Sequence, residues 1–449
     1  MAGGKFTQGV DKIRPGVYMN FVTKAQATIT LSERGTVLIP LQLHWGAPEE
    51  FVSIITESDV YEKLGYNASD KEMLPIREAK KRASEVLVYR LNGSTGVKAT
   101  ATWGEITATA KYAGTRGNEL SIVAAVNVQD ENVIDVKVLL GNDVVDEQSI
   151  TKVSDLKNNN YVVFTYGESA NISKPTETAK VTFSGGTDGE VTNEKYIKFL
   201  EDCEVQEFDV IAFPTTDSSL QTTFISYIKR MCDDEGKKIQ GVIAGYTGSV
   251  DYEGIIDVLN GVVLADGTQL TAQEAIYWVA GATAGANVNE SNTYSVYEGA
   301  VDAYPRLKNT EIVNGIKNGK FLFFYDGGQV KVETDINSLV TYPSGLKKKS
   351  MSKNRVIRVL NAINNDLKSL CSVSYIGKLT NNADGRATVL EAVGLYLDTL
   401  QNANAIQNFN SAEDISINEE KSVDDKVFVD IAVQPLDSME KFYITTEVV

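Results

Sequence analysis

Apolar positions along the chain switch between two periods, and the switches mark out its elements. From Phe321 to Tyr342 the side chains alternate around Asp326, Gly327 and Gly328. Alternation on both sides of an Asp-Gly-Gly turn predicts two short antiparallel strands joined by a tight hairpin. The period then lengthens: Val356, Val359, Leu360, Ile363, Leu367 and Leu370 recur at intervals of three and four. This predicts a helix with one buried face, opened by Ser352 or Asn354. A second amphipathic helix is expected from Arg386 to Ala403, with Val389, Val393, Tyr396 and Leu400 on one face.

Upstream, TITL and TVLIPLQL read as two strands around the Glu33-Arg34-Gly35 turn. Helical segments follow at Asp59–Leu64 and Asp70–Ala83, then a buried strand at Glu85–Leu91. Between Val97 and Gly189 the texture becomes Thr, Val and Lys alternation broken by Gly, Asn and Asp, which predicts a small all-β domain. Strand–helix–strand character resumes with a helix at Asn193–Cys203, a strand from Phe208, a helix at Leu220–Cys232 and a strand from Lys238. That spacing is a βαβ unit with parallel strands. A strand at Gly261 and a helix from Ala272 to Ala286 follow, and Ala280, Gly281, Ala282, Ala284, Gly285 and Ala286 let another backbone approach that helix closely.

The expected fold is therefore multidomain α/β, α+β overall: a mixed-sheet core (24–96 with 190–342), an inserted β-rich domain (97–189) and a C-terminal α+β domain (343–430). Both ends carry strand-like stretches, VYMNFV within 1–23 and KFYITTEV within 431–449. A lone terminal strand cannot satisfy its own backbone groups, so each adds to a sheet, either its own core's edge or another chain's.

Composition narrows the function classes. A chain of 449 residues with 43% apolar and 23% charged content is long enough for two to four domains with ordinary cores. Cys203, Cys232 and Cys371 are odd in number and have no CxxC spacing, as expected of small core residues in a reducing compartment. A formal net charge of −17 disfavours nucleic acid or an anionic membrane as partner. The longest apolar run, from Ala275, is too short to span a bilayer, and the N-terminus has no apolar core of signal-peptide type. Against this acidic background stand Lys347, Lys348, Lys349, Lys353, Arg355 and Arg358. They sit at a helix N-terminus, where each cation is unfavourable by roughly 0.3–1 kcal/mol at most. Either they form a solvated charge run, or an acidic partner supplies the counter-charge.

Catalytic chemistry finds little purchase. The one histidine, His44, lies in QLHWG and reads as a structural hydrogen-bonding residue, and one His with scattered cysteines makes no zinc set. EGKKIQG, from Glu235, lacks the leading Gly and the Ser or Thr of a phosphate loop, and GVIAGYTGS, Gly241–Ser249, lacks the GxGxxG order. Asp202, Glu204, Glu207 and Asp209 cluster without a basic partner nearby. No catalytic, cofactor-binding or metal residue is assigned. The rival to a structural role is a soluble α/β nucleotide-binding protein or enzyme with a β insertion, forming a small discrete oligomer with a stoichiometric ligand.

Four stretches, DGGQVKVETDINSLVTY, SKNRVIRVLNAINND, YIGKLTNNADGR and VFVDIAVQPLDSMEKFYITTEV, resemble the C-terminal half of contractile phage tail sheath proteins. The short sheaths of defective prophages and phage-tail-like bacteriocins are the most similar. RPGVYMNFV resembles the N-terminal arm of that family and TVLIPLQLHWG the start of its core. The likeness runs in order over most of the chain and is weakest from Val97 to Gly189. It implies a non-enzymatic subunit without cofactors, assembled in the bacterial cytoplasm into a virion tail or phage-tail-like particle. Such a homo-oligomer stacks as hexameric rings around an inner tube protein, meets baseplate and tail terminator proteins, and contracts to drive the tube through a target cell envelope. It binds no nucleic acid and inserts into no membrane. The resemblance further implies that Val17, Tyr18, Met19, Asn20, Phe21 and Val22, and Phe442, Tyr443, Ile444 and Thr445, are strands donated to neighbouring subunits. Lys347, Lys348, Lys349, Lys353, Arg355 and Arg358 face the tube in this reading, so charge reversal at Arg355 and Arg358 is expected to leave the monomer folded.

Overall fold

A computed structural model of the chain describes residues 2–4, 16–18, 34–168, 170 and 179–448. Two compact units are distinguished: 33–365 with 435–449, and 1–32 with 366–434. The first is built on a seven-stranded sheet of β1 (Thr36–Leu41), β2 (Phe51–Ile54), β3 (Glu85–Arg90), β4 (Val210–Ala212), β5 (Gln240–Ala244), β6 (Ile255–Val258) and β7 (Lys320–Phe321), in the order β7-β6-β5-β4-β1-β3-β2. Every neighbouring pair is parallel except β2 with β3, so the sheet is mixed through one antiparallel edge. TITL lies outside the described residues, and β2 and β6 have no counterpart among the expected strands.

Both faces of the sheet are covered, as its parallel strands require. Alternate residues divide them. Val37, Ile39, Val86, Val210, Val242 and Ile256 point to one apolar cluster. That cluster also holds Val60 and Leu64 of α1 (Glu57–Leu64), Ile76 and Ala79 of α2 (Leu74–Lys80) and most of α5 (Ala272–Gly285). Leu38, Ile211, Ile243 and Ile255 point to the other. There α3 (Asn193–Cys203) brings Phe199 and Cys203, and α4 (Ser218–Asp233) brings Phe224 and Cys232. The α4 N-terminus is capped by Asp217, whose carboxylate accepts from the N–H groups of Ser219 and Leu220 at 2.8 and 3.0 Å. Helix α5 is buried on every side from Ala275 to Ala284, and Thr283 is the one polar side chain in that stretch. A Cβ on Gly281 would stand 2.2 Å from the carbonyl oxygen of Ala79, and one on Gly285 would stand 2.0 Å from that of Arg82. The small residues thus admit the backbone of α2 and the turn after it.

The insertion is a two-sheet sandwich. One sheet orders Asp143–Ile150, Ile134–Leu140, Leu120–Val126 and Ala179–Thr182; the other orders Val162–Tyr166, Ile106–Ala110 and Thr100–Trp103. Alternation puts Ile134, Val136, Val138 and Leu140 inside. The chain enters and leaves through a paired neck, in which Val97 and Thr187 exchange both backbone hydrogen bonds at 3.0 Å, and Thr100 and Ser184 do the same. Asp188 closes the neck. Its carboxylate accepts from the Thr115 N–H at 3.0 Å and the Thr115 hydroxyl at 2.9 Å, and lies 2.8 Å from His44 Nδ1. The histidine is thus a structural hydrogen-bonding residue. Trp45, beside it, packs on Tyr112 and Tyr161 of the insertion at ring separations of 5.4 and 6.1 Å.

The hairpin after the core forms as the alternation predicts. Phe323–Asp326 pairs with Gln329–Val332, and Gly327 and Gly328 both take positive φ, at 56° and 86°, as a two-residue turn of this twist requires. Helix α6 (Asn309–Lys317) precedes the hairpin and helix α7 (Asn354–Leu370) follows it.

In the second unit, α8 (Ala383–Asn402) buries Val393, Tyr396, Leu397 and Leu400, and Tyr396 donates to the Asp366 carboxylate at 2.7 Å. A short antiparallel pair joins Ile415–Ile417 to Val429–Ile431. Ala2–Gly4 pairs in parallel with Gly16–Tyr18.

Candidate assembly surfaces

The basic junction before α7 separates into three environments. Lys348 and Lys349 are exposed and have no carboxylate within ion-pair distance among the described residues. Lys347 and Lys353 are half-buried and paired within the chain. Lys347 Nζ donates to Glu253 Oε2 at 2.6 Å and lies 5.2 Å from the centre of the Tyr252 ring; Lys353 Nζ donates to Glu440 Oε2. Arg355 is half-buried. Arg358 is fully buried at 0% exposure, which corrects its expected place on a tube-facing surface.

Arg358 is held by the end of another helix. The last carbonyls of a helix carry partial negative charge and have no partner within it. At the end of α5, the Thr283 carbonyl accepts from Arg358 Nε at 3.4 Å, and the Glu290 carbonyl just beyond accepts from Nη1 at 2.6 Å. Asp335 Oδ2 lies 3.8 Å from Nη2. Asp335 is itself fixed: Oδ2 accepts from the Asn292 N–H at 3.0 Å, and Oδ1 accepts from Asn354 Nδ2 at 2.8 Å. Burial pushes the guanidinium down to about 10, and Asp335 opposes that shift. The counter-charge sought for Arg358 is internal, so reversing it does not spare the fold. Ile357 and Ala362, apolar residues off the helix stripe and beside Arg358, were the available sign that this turn is buried all round.

The two arms differ. Val17 and Tyr18 lie in the strand that pairs with Ala2–Gly4, while Met19, Asn20, Phe21 and Val22 fall outside the described residues. At the other end KFYITTEV makes no strand among the described residues. Phe442, Tyr443 and Ile444 are 73%, 90% and 84% exposed, and Thr445 is exposed as well.

Elsewhere the chemistry is structural. Among the described residues no group of three or more His, Cys, Asp or Glu is placed to hold a metal ion. The acidic quartet has basic partners after all: Asp202 meets Lys198 at 2.9 Å, Glu204 meets Arg230, Glu207 meets Lys237 at 3.9 Å and Asp209 meets Arg34 at 3.4 Å. These pairs come from neighbouring elements and a helix i,i+4 step, which is why the local sequence around the quartet did not reveal most of them. Burial pushes the thiols of Cys203 and Cys232 up, as for inert core residues.

Four family models match the chain in succession: the tail sheath protein Gp18 domain III N-terminal region over 34–91, the phage tail sheath protein beta-sandwich domain over 94–188, the phage tail sheath protein central domain over 189–338 and the phage tail sheath C-terminal domain over 347–449. The phage-like element PBSX protein XkdK of Bacillus subtilis strain 168 is 43% identical over 100% of both chains. The chain belongs to the phage tail sheath protein family. Among solved structures, this sheath subunit is similar to the sheath tail protein of Desulfitobacterium hafniense, at 44% identity and a TM-score of 0.83, covering 96% of this chain and 99% of that one. The helical sheath of the anti-feeding prophage in its contracted state shares the fold at 12% identity and a TM-score of 0.57, covering 98% of this chain and 100% of that one. The subunit is thus a tail sheath protein with the fold of a contractile sheath.

Proposed function

We propose that the subunit polymerises as stacked hexameric rings around an inner tube, and contracts to drive that tube through a target cell envelope. The observation that carries this reading is the C-terminal arm. Eight consecutive residues, Lys441–Val448, are exposed and take no strand partner among the described residues, although their side chains alternate as a strand's do. Backbone groups and apolar side chains left open in this way are satisfied by adding to a neighbour's sheet. Residues 1–23 are the matching N-terminal arm. Exchange at both ends keeps a mesh connected while rings rotate, with the energy stored in a metastable packing rather than drawn from a bound nucleotide. The role is mechanical, and no cofactor takes part. Baseplate and terminator proteins cap the two ends of the stack.

The tube contact narrows to the exposed cations. Lys348 and Lys349 are free to meet acidic groups on the tube, whereas Lys347 and Lys353 are neutralised internally and Arg358 is withdrawn.

Electron microscopy over a range of concentration tests the reading. The full chain is expected to form hollow sleeves or stacked rings, and a chain ending at Glu440 to remain a folded, soluble monomer. Intact sleeves from the shortened chain overturn strand exchange. Discrete particles from the full chain, with or without a tube protein as template, restore the soluble ligand-binding alternative.

A further inference from the structure

The C-terminal chain changes character at one residue. Met439 is 86% exposed and Lys441–Val448 are all exposed, yet the Glu440 side chain between them keeps 14% of its surface open. Both of its oxygens are occupied. Oε1 accepts from the Thr293 hydroxyl at 2.7 Å and the Ser438 hydroxyl at 3.3 Å; Oε2 accepts from Lys353 Nζ and from the Thr334 hydroxyl at 3.4 Å. Lys353 Nζ also donates to the Thr334 hydroxyl at 3.0 Å. Burial alone raises a carboxyl of this kind, but these donors hold Glu440 below its ordinary value.

We infer that Glu440, with Lys353 as its counter-charge, is the anchor that fixes where and in which direction the C-terminal arm leaves the subunit. The inference rests on the strand-exchange reading and names the positioning residue it needs. The partners of Glu440 are tied into the rigid core. Thr293 Oγ1 also accepts from the Asp335 N–H at 2.9 Å, Lys353 pairs with Ile336 and directly precedes α7, and Asp335 belongs to the buried Arg358 network. Tension on the arm therefore enters the core at one ion-paired point instead of slackening the chain from Pro435 onward. Register supplies the reason such a point is required. A donated strand that slips by one residue turns every side chain to the wrong face, and a strand with a loose root has nothing to stop it. An open recess of about 420 Å³ beside the anchor, lined by Ser291, Thr293, Tyr294, Met439 and Phe442, leaves the arm free to swing if Glu440 lets go.

Chymotryptic cleavage after Phe442 in the free, full-length subunit reads the anchor directly, because the protease must extend the chain through position 440. Since cleavage follows the population of the open form, Glu440→Gln is expected to accelerate it about tenfold. The swapped pair Lys353→Glu with Glu440→Lys returns it towards the wild-type rate. If the swapped chain does not fold, Lys353→Met takes its place and reproduces the acceleration. Equal rates in the wild type and Glu440→Gln overturn the anchor. Sleeve formation is scored in parallel: a wild-type chain that never forms sleeves overturns the exchange on which the inference rests, while the cleavage rates still decide whether Glu440 holds the arm root.

Discussion

Arg358 keeps its charge in the core because three separate segments each present it with negative charge: the end of α5, the Glu290 carbonyl and Asp335. A buried pair of this kind adds little over a well-packed apolar pair, but removing one partner strands the other. Asp335→Ala is therefore expected to cost about 3–5 kcal/mol in urea unfolding, and Arg358→Glu to give no folded subunit. Lys348→Glu with Lys349→Glu should leave the unfolding midpoint where it was. A midpoint for Asp335→Ala equal to the wild type's contradicts the account. The sequence shows a basic run and a helix start, and from these the excess of cations over local acids is legible. Which cation points at the carboxyl end of a helix seventy-odd positions upstream is not, because that end is brought there only by the tertiary fold.

Elements were legible where one period ran long enough to be unambiguous. The hairpin at Phe323–Val332, the helices α3, α4, α5, α7 and α8, and the β-rich insertion all follow from the spacing of apolar residues. The strand β6 escaped because IIDV places an acid in a buried run; Asp257 is 1% exposed, and Lys320 on the neighbouring β7 supplies its partner. KFYITTEV is legible only in part, since alternation states that a stretch can pair without saying with which chain. The small residues of α5 announced a close approach but not its partner, which is α2. At that crossing Gly281→Ala drives a methyl to 2.2 Å from the Ala79 carbonyl oxygen. Neither backbone gives way easily, so the substitution is expected to cost about 1–3 kcal/mol. Ala280→Gly, one position earlier, removes a buried methyl instead of adding one. Thermal unfolding that leaves Gly281→Ala at the wild-type midpoint would mean that the two helices separate more readily than their packing implies.

For the whole molecule, the balance of carboxylates sets the response to acid. Asp59, bonded to Lys63 and to the N–H groups of Thr56 and Ile55, is held well below its ordinary value. Glu49 is lowered by Lys195 and Ser94, Asp302 by Arg306 and Asp155 by Thr151. Each of these binds a proton less readily in the folded subunit than in the unfolded chain. Their stabilisation is complete above the ordinary carboxylate range and is lost as pH falls through the folded values. Asp257 and Glu333, raised by burial, act in the reverse sense, because their contribution is lost as pH rises above the ordinary range. Lowered groups outnumber raised ones among the described residues, so the melting temperature should fall as pH is taken from about 5 to about 3; a flat profile would contradict this. The paired neck at Val97, Thr100, Ser184 and Thr187 has a consequence of a different kind. Outgoing and returning chains are clasped before the sandwich begins, and beside the clasp Trp45 packs on Tyr112 and Tyr161 while Arg116 lies over the Tyr66 ring, so the core holds its insertion by a paired stub and by a side-chain seam. A domain whose own ends lie side by side can be threaded through the clasp, but it seats firmly only if it also offers a surface for Trp45 and Tyr66, so the subunit can change the far end of its head more freely than the near end.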